Sequence, residues 1–131
     1  MRRPSPALAV ALVLFTAVGC SSDKDDLPSV DDFRAGDCRT IAPDVLTIGR
    51  DAGLLGTAAA PPRDVRASLR NAQDRIRAQQ PSLEPDLTAP VDVLVVAVGV
   101  VRLRSDSNGY APSLGTELAT ATETVLRVCT Q

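Results

Sequence analysis

The chain of 131 residues holds three cysteines and no histidine, and these two facts narrow its chemistry at once. Without an imidazole it lacks the side chain that most often serves as a general base near neutral pH, and a common nitrogen ligand for zinc. Cys20, Cys38 and Cys129 lie far apart, without the Cys-x-x-Cys spacing of metal or redox motifs, so neither a metal centre nor thiol catalysis is expected. There is no Gly-x-Ser-x-Gly elbow and no glycine-rich phosphate loop. Carboxylates are plentiful, but Asp44, Asp51, Asp64, Glu117 and Glu123 read as solvated helix faces rather than as an acid–base pair. Asp23, Asp25 and Asp26 crowd together without the turn glycine of a calcium loop. The residues predict no catalytic set, no metal and no cofactor.

The chain opens with Arg2 and Arg3, continues with an apolar stretch over residues 7–18, and reaches the small residues Ala17, Val18 and Gly19 just before Cys20. A positive start, an apolar middle and a small-residue end are the parts of an export signal, and the run is shorter than the ~20 residues that span a bilayer. The stretch "AVGC" at 17–20 resembles the lipobox of bacterial lipoproteins. That resemblance implies removal of residues 1–19 as a signal peptide and a diacylglyceryl thioether on Cys20. It places the exported protein on the outer face of the cell membrane, held by lipid. It also leaves Cys38 and Cys129 as an even pair in an oxidising compartment, where a disulfide persists.

Residues 20–32 carry five aspartates against one lysine and almost nothing apolar, and they predict an acidic, solvated tether behind the lipidated cysteine. Residues 33–131 have the length of one small domain. Its eleven arginines and eleven acidic residues cancel, which argues against a nucleic-acid surface. Phe33 and Tyr110 are the domain's only aromatics, too few for base-stacking platforms or aromatic-lined pockets.

Four segments separated by proline or glycine must position whatever the domain uses. The first places Cys38, Ile41, Val45, Ile48, Ala52 and Leu55 on one stripe at alternating three- and four-residue steps, which predicts an amphipathic helix. Residues 63–80 repeat the pattern with Val65, Leu69, Ala72 and Ile76. Their other face carries Arg66, Arg70, Asp74 and Arg77, with Arg70 and Asp74 one turn apart. This arginine face reads as solvated, with binding of an anionic polymer or headgroup as the sharper alternative. The last segment has Leu114, Leu118, Ala121, Val125 and Val128. The third, from Pro90 to Arg104, is apolar nearly throughout. Its length, with Asp92 near the start and Arg102 and Arg104 near the end, predicts a helix, and its valines leave a buried strand at 91–103 as the alternative. Gly99 within it marks a close-packing position.

The cysteines decide the helix count. Cys38 opens the first helix and Cys129 closes the last, and in an up-and-down arrangement only an even number of helices brings those ends together. Three helices would hold them about 25 Å apart, beyond disulfide reach. The expected fold is therefore all-α, an up-and-down four-helix bundle closed by one disulfide, with an α+β fold as the alternative. The tether is expected to enter the first helix at the disulfide end, so that this end faces the membrane and the connections at 53–62 and 104–113 point outward. Tyr110, with the turn residue Asn108, is the candidate partner contact, and packing onto Leu54, Leu55 or Leu114 is its competing role. Thr116, Thr120, Thr122, Thr124 and Thr130 read as plain surface threonines rather than glycosylation sites. The functional expectation is a non-enzymatic, lipid-anchored interaction module that recruits an envelope protein. The alternative is a carrier or sensor of a small apolar ligand held between the helices.

Overall fold

The computed structural model describes residues 27–131, and the sites expected upstream, Cys20 above all, lie outside the described residues. Four helices follow in order: α1 (Asp37–Leu55), α2 (Arg63–Gln79), α3 (Pro85–Asp106) and α4 (Pro112–Cys129). Among the described residues there is no strand, so the apolar run at 91–103 is helix. Each helix packs against its two neighbours around a square: α1 on α2 and α4, α3 on α2 and α4, with the α2–α3 seam the loosest.

Four of the boundaries have a clear local cause. Pro85 and Pro112 sit in the first turn of α3 and α4, where their missing N–H costs nothing. Gly36 precedes α1 with φ 89°, a conformation that side chains disfavour. Asn108 ends α3 at φ 57°, and the Gly109 N–H reaches back to the Arg104 carbonyl at 2.8 Å, forming a Schellman closure. The third helix starts five residues before the expected Pro90. Pro85 supplies the true first turn, and Leu87 and Val91 continue the buried row of Leu94, Val98 and Val101 backwards at helical spacing. Pro90 remains inside, in the second turn, at the cost of the one backbone bond that an N–H there would give to the Asp86 carbonyl.

The six stripe residues of α1 are all buried, as are Val65, Leu69, Ala72 and Ile76 of α2, and Leu118, Ala121 and Val125 of α4. Cys38 and Cys129 are fully buried and bonded, with their Cα atoms 5.4 Å apart. Around them the end of the bundle is laced by polar contacts. Arg34 pairs with Asp86 at 2.7 Å and Glu84 at 3.2 Å, its N–H donates to the Cys129 carbonyl at 2.7 Å, and Asp37 accepts the Glu84 N–H at 2.7 Å. At the opposite end α4 starts against the last turn of α1, so close that a Cβ on Gly115 would lie 2.7 Å from the Gly56 nitrogen.

Two expectations about the tether change. Leu27 and Val30, assigned to the solvated segment, pack against the core, and Val30–Asp32 form a 3-10 turn, so the ordered domain begins before Phe33. Leu27 rests between α1 and α4, beside Gly49 and Thr122. Gly49 is eleven residues along α1 from Cys38, about 16 Å at helical rise. The chain thus enters α1 at the disulfide end, as expected, but first touches the bundle on the α1–α4 flank at mid-height.

Candidate binding surfaces

The arginine face of α2 acquires a second wall. Arg63, Arg66 and Arg70 recur at three- and four-residue steps on α2, and Arg102 reaches the same space from α3. Together with Ala67 and Asp106 they line a cleft of about 250 Å³. The sequence pattern singled out Arg66 and Arg70 but could not foresee Arg102, which depends on how two helices face each other. Arg77 is exposed further along α2, and the expected Arg70–Asp74 pair does not form among the ion pairs of the described residues.

Arg102 is held by a device that begins in the core. Gln73 lies in register with Leu69 and Ile76 and is buried. Its amide nitrogen donates to the Val95 carbonyl at 2.9 Å, and its amide oxygen accepts a short hydrogen bond from Arg102. Gly99 makes room for it, since a Cβ there would meet the Gln73 amide at 3.3 Å. A buried amide so satisfied is a rigid bracket for the guanidinium. Its register with the apolar row was the signal available in sequence. On the facing side Arg66 reaches Asp106 only at 3.8 Å, and its Nε is buried without a hydrogen-bond partner.

A second surface lies between α3 and α4. The solvent side of α3 repeats apolar residues at steps of three, four and three: Val93, Val96, Val100 and Leu103. Val93 is 58%, Val96 64% and Leu103 66% exposed. Val93, Val96 and Val100 form one wall of an open groove of about 400 Å³, while Leu114, Glu117 and Thr120 of α4 contribute to the other. Periodicity hid this row, because an element apolar on all sides shows no preferred face.

No family model, curated protein or solved structure matches this chain.

The remaining candidates take structural places. Tyr110 is half-buried against the core and its hydroxyl donates to the Leu55 carbonyl, tying the α3–α4 connection to the end of α1; burial pushes its phenol above the ordinary value. Asn108 is exposed in its turn. Thr116, Thr120, Thr124 and Thr130 are in the main exposed, Thr122 is buried, and Thr120, Thr122, Thr124 and Thr130 each donate to the carbonyl four residues back. Asp51 departs from its expected place on a solvated face. It belongs to the buried row of Ile48 and Leu55 and is 9% exposed. Desolvation pushes its carboxyl above the ordinary carboxylate value, with Asp64 adding to the rise and Ser68 and Arg50 opposing it, and its Oδ2 has no hydrogen-bond partner. Among the described residues no cluster of acidic, cysteine or histidine side chains could hold a metal, and no helix is long and apolar enough to cross a membrane.

Proposed function

We propose that the protein is a lipid-anchored, non-enzymatic interaction module of the cell envelope, which docks an apolar helix of a protein partner in the α3–α4 groove. The observation that carries this reading is the apolar row Val93, Val96, Val100 and Leu103, of which all but the half-buried Val100 are exposed. Three large apolar side chains more than half exposed on one helix cost solubility unless they are covered in use. The 3-4-3 spacing fits the anchors of a helix laid into a groove. Charge selects the occupant further. Glu117 lines the groove beside neutral threonines, which favours a partner helix with a basic residue flanking its apolar stripe. The carrier reading has less support, because Leu94, Val98, Leu118 and Val125 are fully buried and fill the space between the helices.

Site-specific photocrosslinking in intact cells tests it. A crosslinker at Val96 should trap a protein partner, Val93→Asp should abolish the adduct with the melting temperature kept, and Glu117→Lys should weaken it. A trapped second copy of this chain would replace the partner with self-association. Adducts indifferent to both substitutions would overturn the groove as the docking site. The anchor has its own test: Cys20→Ser should release the protein from the membrane fraction or leave it unprocessed, and unchanged fractionation would remove the lipid from the reading.

A further inference from the structure

We infer that the α2–α3 cleft is a binding site for a phosphoryl group, gripped by Arg63, Arg66, Arg70 and Arg102. The inference is independent of the apolar groove, which lies on the other side of α3. Four guanidiniums and one carboxylate, Asp106, face one space of about 250 Å³, so the lining carries a net charge of +3 (four minus one) within a small volume. Like charges gathered this way repel unless an anion joins them. Elsewhere on the domain the arginines with cross-helix partners are spent: Arg34 on Glu84 and Asp86, Arg75 on Asp44 at 2.7 Å. In the cleft the one acidic side chain sits 3.8 Å from Arg66, and the other three arginines make no ion pair among the described residues.

Two further features point to a ligand. The Arg66 Nε is buried and unpartnered, a donor that protein structure normally satisfies. Arg102 is aimed by Gln73, whose own orientation is fixed by the Val95 carbonyl through the gap at Gly99. A buried amide devoted to orienting a guanidinium that then makes no ion pair is explicable if the guanidinium serves something in the cleft. The start of α2 adds its unpaired N–H groups and the positive end of its dipole beside Arg63. Planar guanidinium forks match tetrahedral phosphoryl oxygens, whose several acceptor sites let more than one guanidinium bind the same group at once. Two sources share this chemistry, a free phosphate or phosphate monoester and the phosphodiester of a lipid headgroup. The cleft opens opposite the α1–α4 flank where Leu27 enters, which turns it away from the tether.

The test uses the full-length protein in neutral detergent, titrated with inorganic phosphate or with glycerophosphoglycerol, a deacylated headgroup, at chloride-matched ionic strength. The expected result is a saturable rise in melting temperature with one of the two probes. Arg70→Gln, on the exposed surface of α2, and Arg102→Gln should each weaken the apparent affinity about ten-fold or more, while Arg127→Gln on α4 keeps it. Tighter response to phosphate assigns a soluble ligand, and tighter response to the diester assigns a headgroup. An unsaturable shift, or one equal in the Arg70→Gln variant, would overturn the site.

Discussion

Three glycines in this protein make three different demands on one missing methyl group. Gly53 has nothing within 4 Å of its would-be Cβ and lies on the exposed face of α1, so Gly53→Ala should stabilise by about 0.5–1 kcal/mol through helix propensity alone. At Gly99 the same gain is offset by a 3.3 Å approach to the Gln73 amide, which can shift slightly, and denaturant unfolding should show little change. Gly115 meets backbone at 2.7 Å, and backbone does not step aside; Gly115→Ala should cost about 1–3 kcal/mol as α4 is pushed off the end of α1. Equal effects at all three would contradict the helix contacts described. Asp51 provides a pH-dependent counterpart. Its folded value is raised by desolvation, so the folded state binds the proton more tightly than the unfolded chain. Its favourable contribution is complete below the ordinary carboxylate value near ~3.9 and is lost as pH rises through the raised folded value. Asp51→Asn should thus be more stable than the parent at neutral pH, and the difference should vanish in acid. Urea melts of both proteins from acid to neutral pH measure it.

At the scale of elements, α1, α2 and α4 were legible because each buries one stripe and solvates the rest, and the apolar period survives in the sequence. The two cysteines carry the four-helix count for a reason that spacing does not contain: a covalent bond between chain-distant ends restricts how many helices can lie between them. What could not be read was the facing of one helix on another. Arg102 enters the cleft of α2 only because α3 turns that side inward, and Asp51 and Gln73 looked like surface residues by type although their register with Ile48 and Leu69 places them inside. The 3-4-3 row of α3 stayed hidden within a run that is apolar in every direction. The same row also reports on the groove's occupant. The pairs Val93 with Leu103 and Val96 with Val100 are equidistant from Val98, so two antiparallel copies of α3 would match layer to layer and form the competing occupant. With a partner helix as the occupant, the purified protein should sediment as a monomer over a dilution series, and so should Val96→Asp with its helical circular dichroism kept; association that Val96→Asp removes would make a second copy the occupant.

The whole molecule depends on one covalent closure and one strap. Cys38 and Cys129 are separated by 91 positions in the chain, and closing that loop should contribute about 4 kcal/mol in the chain-entropy account. In a domain of this size that corresponds to a fall of at least about 15 °C in melting temperature on reduction. Unchanged melting in reductant would mean that helix packing alone sets the stability. The strap is the stretch from Leu27 to Phe33, which lies along α1 and α4 and ends in a fully buried aromatic. Leu27→Ala with Val30→Ala should lower stability by about 1–3 kcal/mol without loss of helix, since both side chains are only partly buried. The disulfide has another consequence, in the way the chain would carry a pull between its two ends. Traction applied between the tether and the C-terminus runs from Leu27 to Cys38, crosses the sulfur bridge and leaves by Thr130 and Gln131. The 90 residues between the cysteines lie outside that line of force, so pulling can peel only the strap, a lengthening of about 30 Å, while the bundle and both its candidate surfaces hang unloaded beside the bond.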